Sequence, residues 1–138
     1  MFPDDSIIDD LAEKVIGCAI EVHRTLGPGL LESVYHECML LELRRLNIPV
    51  QSERRVPFDY KGQRIKSRLK LDLVVDNMII VELKAVERLH PIHSAQVITY
   101  LKLTGLPAGL LMNFNETTLK AGLKRLDHPD RYAKPKSR

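Results

Sequence analysis

The sequence predicts an α/β fold, in which one mixed β-sheet is flanked by helices. Three observations carry that expectation. The stretch from Leu71 to Lys84, L-D-L-V-V-D-N-M-I-I-V-E-L-K, has two arms rich in Val, Ile and Leu on either side of Asp76-Asn77, the pattern of a β-hairpin. Two apolar stripes at helical spacing precede it. A third helical stretch then separates the hairpin from an apolar run at Ala108–Asn113. Three strands in a meander followed by a helical crossover to a fourth give a sheet of mixed direction.

In chain order, Ser6 is the expected cap of the first helix, with Asp9 three residues on as an approximate capping box. Ile7, Ile8, Leu11, Val15, Cys18, Ala19, Val22 and Leu26 form its apolar stripe. Gly27-Pro28-Gly29 ends it, because Pro28 cannot continue a helix and Gly27 suits the C-terminal cap. A second helix is expected over 31–46, closed by Asn47 and Pro49, with Glu32, Tyr35 and His36 on one face near its start. Strands follow over 50–60, 63–75 and 78–86, the first two joined by a Lys61-Gly62 turn. Pro91 sits near the first turn of a helix that continues to about Thr104, with Gly105 as its cap. Ala108–Asn113 is a buried strand, and Asn115 or Thr117 opens a last helix through Leu126. The remainder, 127–138, is a loose polar tail. No repeat or linker divides the chain, so all of 1–138 is expected to form a single domain with its core over 7–126.

A chain of 138 residues is long enough to bury a core of its own. Its 44% hydrophobic and 28% charged residues are ordinary for a globular protein, and no apolar run reaches the length of a membrane span. The acidic start M-F-P-D-D is unlike a secretory signal, so the expected location is cytoplasmic. Cys18 and Cys38 both fall in apolar helical patterns and make neither a disulfide framework nor a zinc motif. The net charge of +3 points weakly to nucleic acid. Basic residues gather at Arg54, Arg55, Lys61, Arg64, Lys66, Arg68 and Lys70, and again at Lys120, Lys124 and Arg125. A sheet edge protected by charge would give the same pattern.

The hairpin carries the chemistry. Alternation places Leu71, Leu73 and Val75 on one face with Ile79, Val81 and Leu83, and sets Asp72, Glu82 and Lys84 on the other. A plain two-residue loop at Asp76-Asn77 would oppose Asp72 to Val81 and split the carboxylates between faces. A bulge or an odd-length loop restores them to one face, and Asn77 tolerates the left-handed backbone that such a turn needs. On a half-exposed strand the three charges amount to an ordinary surface ion pair. On a buried one they form a hard-cation site for Mg²⁺ or Mn²⁺, with a lysine placed to stabilise an anionic transition state.

An Asp followed after a short gap by E-x-K on the next strand resembles the PD-(D/E)xK nuclease superfamily. Gly29–Tyr35 spells G-x-x-E-x-x-Y and Gln96–Tyr100 spells Q-x-x-x-Y, and with the hairpin these segments look like the GxxExxY family of small nuclease-like proteins. The resemblance spans about 7–126. E-x-K alone is a weak motif, whereas the four segments in this order and spacing are a strong one. Leu71 stands where the family has its proline, a position that binds no metal.

The resemblance implies a restriction-endonuclease-like αβββαβ core with an extra N-terminal helix. It also implies a site in which Asp72 and Glu82 hold Mg²⁺ or Mn²⁺ with the backbone carbonyl of Leu83, and Glu32 reaches the same site from its helix. Lys84 would face the scissile phosphate or the attacking water, and Gln96 and Tyr100 would position the site from the following helix. Each assignment has a plainer rival. Glu32 favours a helix dipole without chemistry, and Tyr100 is at home in a core. His93 shares the face of Gln96 and Tyr100, and His36 lacks the partners that zinc requires. The function so implied is a metal-dependent nuclease acting on DNA or RNA. Two other readings stay open: a non-catalytic nucleic-acid-binding or protein-interaction module, and a hydrolase of a non-nucleic phosphoester. A chain this small leaves little room for a specificity domain; a homodimer or a partner protein would supply one, and no residue marks the interface.

Overall fold

In a computed structural model, residues 1–132 are described. Helix α1 (Asp5–Leu26) and helix α2 (Glu32–Arg45) come first. Strand β1 (Val50–Arg55), the short strands β2 (Phe58–Tyr60) and β3 (Gln63–Ile65), and strands β4 (Lys70–Val75) and β5 (Ile79–Lys84) follow. Helix α3 (Pro91–Thr104), strand β6 (Ala108–Asn113), a 3₁₀ turn (Lys120–Gly122) and strand β7 (Leu123–Asp127) complete the order.

Five strands form one sheet in the order β1-β4-β5-β6-β7. Only β5 and β6 run parallel, because α3 carries the chain back between them. The mixed α/β class expected from sequence is the class observed. One apolar cluster joins Ile8, Val15, Val22, Tyr35, Met39 and Leu43 of α1 and α2 to Leu73, Val81 and Leu110 of the sheet. A second joins Val74 and Ile80 on the other face to Tyr100 and Leu101 of α3. Strands β5 and β6 are central and covered on both faces, which is why their sequences read as nearly unbroken apolar runs.

Several boundaries differ from the sequence reading. Asp4 rather than Ser6 caps α1, its Oδ1 accepting from the Ser6 N–H at 2.9 Å. The two long strands expected over 50–60 and 63–75 each break. The portions next to the Lys61-Gly62 turn, β2 and β3, pair only with each other and make a separate two-stranded ribbon. Pro57 has no N–H for a ladder, and Ser67 redirects the returning strand by donating from Oγ to the Val56 carbonyl at 2.6 Å. The last helix expected through Leu126 is instead the 3₁₀ turn and β7, which lies antiparallel on β6. Leu119, Leu123 and Leu126 fit helical spacing, yet the open edge of β6 takes the segment as a strand.

The polar tail, expected to be loose from 127 onward, is tied down in its described part. The Arg131 guanidinium is buried between Asp127 and Asp5, bonding Asp5 Oδ1 at 2.7 Å. Residues 133–138 lie outside the described residues. Cys18 is buried and Cys38 half-buried, both as free thiols. Among the described residues no helix is long and apolar enough to cross a membrane.

Candidate active site

The β4–β5 hairpin turns through an odd-length loop. Val75 pairs with Ile79 and Leu73 with Val81, leaving Asp76, Asn77 and Met78 in the turn. Asp76 and Asn77 both take left-handed backbone, with φ of 49° and 52°. Continuing that register brings Asp72 opposite Glu82. The ladder itself stops at Leu73–Val81, and beyond it the carboxylates stand in for backbone partners. Glu82 Oε1 accepts from the Asp72 N–H at 3.2 Å, and Asp72 Oδ2 accepts from the Leu83 N–H at 2.9 Å. The two strands therefore part where the carboxylates sit, and each carboxylate fills a gap the sheet would otherwise close with a carbonyl.

The alternation read from sequence places Leu71 with Leu73 and Val75. In the structure Leu71 packs instead with Val74 and Ile80 on the α3 side. Ladder pairing of β4 is absent at Asp72 on the β1 side as well, where Glu53 takes a φ of 53°. The strand bends at Asp72, and the residue before it turns to the other face.

Glu82 is 6% exposed. Burial pushes its carboxyl up to about 8, with the Asp72 carboxylate adding to the rise; the Asp72 N–H and the Lys84 ammonium oppose it. Lys84, two residues on at the end of β5, is half-buried. The N–H and C=O of one strand residue point to the same edge, so the Leu83 carbonyl, like its N–H, faces the gap toward β4.

Glu32, the first residue of α2, is open to solvent yet crowded enough that partial desolvation, and then Asp72, raise its carboxyl, against Lys84 and His36. That pattern brings Glu32 beside the same gap. Tyr100 of α3 is buried; desolvation first, then Glu82 and Asp72, raise its phenol above the ordinary value. Desolvation, then Lys84 and His90, hold His93 below the ordinary imidazole value. Glu32, Asp72, Glu82, Lys84, Tyr100 and His93 thus converge at one end of the sheet. Gln96 stays exposed one turn ahead of Tyr100, and its side chain makes no hydrogen bond among the described residues.

The donor set suits a hard cation. Asp72 Oδ1 and Glu82 Oε2 are not engaged in the two backbone bonds, and the Leu83 carbonyl adds a neutral oxygen. Among the described residues no three carboxylate, imidazole or thiolate groups already form a metal cage. With one oxygen of each carboxylate turned to a backbone N–H, the set would have to close around an ion. A cleft of about 270 Å³ lined by Val86, Glu87, Arg88, His90 and His93 opens beside Lys84. A larger hollow, about 550 Å³, is lined by Pro49, Val50, Gln51, Arg54, Val74, Asp76 and Asn77. It lies at the hairpin turn, at the far end of β4 from Asp72, and takes no part in this site.

Two supporting residues act through packing and backbone bonds behind the carboxylates. Tyr35, the last residue of G-x-x-E-x-x-Y, turns inward, away from the carboxylates. Its ring stacks on Phe114 at 4.6 Å, and its hydroxyl donates to the Gly27 carbonyl at 2.7 Å and accepts from the Leu30 N–H at 3.1 Å. The motif thus fixes the loop from which Glu32 starts α2. Asn113, fully buried at the end of β6, bonds both backbone groups of Val86, through Nδ2 at 2.9 Å and Oδ1 at 3.1 Å. It clamps the chain just past Lys84, with which it is paired in the sheet. Its only trace in the sequence is a polar residue closing an apolar run. His36 bonds Ser52 Oγ at 3.0 Å.

A family model described as the PD-(D/E)XK nuclease superfamily matches residues 9–126. No curated protein and no solved structure matches the chain.

Proposed function

The chain belongs to the PD-(D/E)XK nuclease superfamily, and from that premise we propose that it is a divalent-metal-dependent phosphodiesterase that hydrolyses DNA or RNA. The observation that carries this reading is the meeting of Asp72, Glu82 and Lys84 where β4 and β5 part. Asp72 and Glu82 would hold Mg²⁺ or Mn²⁺ through their free oxygens, with the Leu83 carbonyl as a neutral ligand and Glu32 at the margin. The ion, when bound, supplies Lewis acidity that favours hydroxide as the attacking species and offsets charge on the phosphoryl oxygens. Lys84 brings a fixed ammonium to the same oxygens as their charge grows. Tyr100 holds a neutral hydroxyl beside the carboxylates, and Gln96 offers an amide from one turn earlier to orient the phosphate. The GxxExxY pattern accords with this arrangement, since Glu32 is delivered by the loop that Tyr35 pins.

Purified protein should cleave nucleic acid with Mg²⁺ or Mn²⁺ and fail in EDTA. Titration calorimetry should show one Mn²⁺ bound by the wild type and none by Asp72→Ala. Equal binding by both proteins would remove the metal assignment. Metal binding without cleavage of any DNA, RNA or simple phosphodiester would leave a binding module as the better description.

A further inference from the structure

The β2–β3 ribbon has no role in the site described above. Its strands pair Phe58 with Ile65, Asp59 with Arg64 and Tyr60 with Gln63, and among the described residues neither strand packs broadly on any other element. An isolated two-stranded hairpin is marginal in water, yet this one is well made. Lys61 and Gly62 turn it with φ of 48° and 80°, both positive as a primed turn needs. Its root is tied by Val56 N–H to the Leu69 carbonyl at 3.0 Å, by Ser67 Oγ to the Val56 carbonyl at 2.6 Å, and by the Leu69 N–H to Ser67 Oγ at 3.2 Å. Val56 and Leu69 seat that root on the cluster that contains Tyr100.

The charge on the ribbon is lopsided. Residues 54–70 hold seven basic side chains, Arg54, Arg55, Lys61, Arg64, Lys66, Arg68 and Lys70, against the single acid Asp59, so the rest of the chain is net negative. All of them except Arg54, which bonds Asn77 at 2.8 Å, are exposed. Alternation puts Arg64 on one face with Asp59, and Tyr60 and Ile65 on the other, where they are 58% and 37% exposed. Lys61 lies over the Tyr60 ring at the tip. Protection of the main sheet's edge accounts for Arg54 and Arg55 on β1, but not for Lys61, Arg64, Lys66 and Arg68, which lie outside the main sheet. Its returning strand leads through Lys70 straight to Asp72, so the arm rises from the end of the sheet that holds the carboxylates.

We propose that this ribbon docks in the major groove of B-form duplex DNA and holds the duplex across the carboxylate gap. The inference rests on the phosphodiesterase reading and names its substrate class. A two-stranded ribbon is of a size that the roughly 12 Å major groove admits, and the five residue steps from Val56 to Lys61 reach about 17 Å when extended. The deep, narrow major groove of A-form RNA excludes such an arm. Arg64, Lys66 and Arg68 face phosphates along the groove walls, while Tyr60 and Ile65 offer apolar surface to base edges.

The test is fluorescence anisotropy in EDTA with the full chain and a labelled 20-base-pair DNA, a matched RNA duplex and a single strand, over a range of salt. Binding is then read without cleavage, so the two proposals fail separately. Wild type should prefer duplex DNA, and the triple variant Lys61→Ala, Arg64→Ala, Lys66→Ala should bind it at least tenfold more weakly. Each lost phosphate contact should also reduce the log–log salt slope by roughly 0.9. The equally charged control Lys14→Ala, Lys120→Ala, Lys124→Ala should change affinity by less than twofold. A milder variant, Lys61→Gln with Lys66→Gln, checked by its thermal midpoint, guards against a fold defect and should show a smaller loss in the same direction. Tight, ribbon-dependent binding of DNA that is never cut supports the docking arm and removes the nuclease reading. Unchanged affinity in the triple variant, equal loss for single strands or RNA duplex, or a complex that is a protein dimer without DNA would overturn the docking arm.

Discussion

Two residues define what the site can do. Lys84 shares an edge of the gap with Glu82, and its worth is separable from theirs. If it stabilises charge on the phosphate, Lys84→Ala lowers kcat at saturating Mg²⁺ on the order of 10²–10³-fold and leaves metal affinity nearly intact. A lysine that merely neutralises the carboxylates predicts the reverse, so kcat and Mn²⁺ affinity measured on one preparation decide between them. Lys84→Arg should not restore the rate, because a broad planar guanidinium does not replace a compact ammonium. Glu82 makes the complementary case. Its folded pKa is raised from 4.5 to about 8, chiefly by burial, so between those values the folded chain holds a proton that the unfolded chain has released. Its contribution to stability is therefore complete below pH 4.5 and lost as pH rises through about 8. The metal-free protein should melt at a lower temperature at pH 9 than at pH 6, and Glu82→Gln should flatten that difference in a calorimetric scan. Binding a cation must expel the same proton, so Mn²⁺ affinity should climb over the same interval. An affinity that is level from pH 6 to pH 9 would contradict the assignment of Glu82 as a ligand.

Elements place those residues, and α3 does so through a single glycine. A Cβ on Gly109 of β6 would come 2.6 Å from Val97 Cγ1. Val97 is a short, branched, buried side chain with little room to turn aside, so α3 itself must lift. Gly109→Ala should destabilise the fold by about 1–3 kcal/mol, the usual range for overpacking. Because Tyr100 rides on the same helix, activity should fall further than the loss of folded protein explains. Denaturant titration beside kcat separates the two effects, and a variant with wild-type stability would show that the helix does not rest on Gly109. The elements also show what the sequence made legible. The helix near 91–104 and the strand at 108–113 were readable because Pro91, Gly105 and the run A-G-L-L-M-N are local signals. Strand β7 was not, because its identity comes from the free edge of β6, a partner far along the chain. The ribbon was hidden for a similar reason. Its strands alternate like any others, and only Pro57 and the Ser67 bond divert them from the sheet.

At the scale of the whole molecule, one end of the sheet gathers nearly everything with chemical promise. The start of α2, the start of β4, the end of β5 and the start of α3 all meet there, and the basic arm rises beside them. Asp72, Glu82 and Lys84 were legible as a set because strand periodicity fixes which side chains share a face. The need to keep both carboxylates together called for a bulge or an odd-length turn, and the hairpin has the latter. Their depth was not legible. Whether Glu82 is buried depends on α3 covering the gap, which no local pattern reports. Nor did the sequence reveal Asn113 as the clamp behind Lys84 or Arg131 as the tie between the two ends of the described chain, since each acts through residues distant in sequence.

The parting of β4 and β5 gives the protein a built-in indicator. Two amide protons, those of Asp72 and Leu83, rest on the carboxylates whose other oxygens a cation would claim, so closing the set around an ion draws those carboxylates off the backbone. Occupancy of the site is thereby written into the exchange behaviour of the backbone. As Mg²⁺ is added, deuterium uptake at Asp72 and Leu83 should quicken while Val81 and its neighbours in the hairpin exchange more slowly, because ligation stabilises the fold as a whole. A uniform slowing that includes both amides would mean that the carboxylates keep their backbone bonds when the ion arrives. With two labelled amides the state of the site is readable in the absence of any substrate.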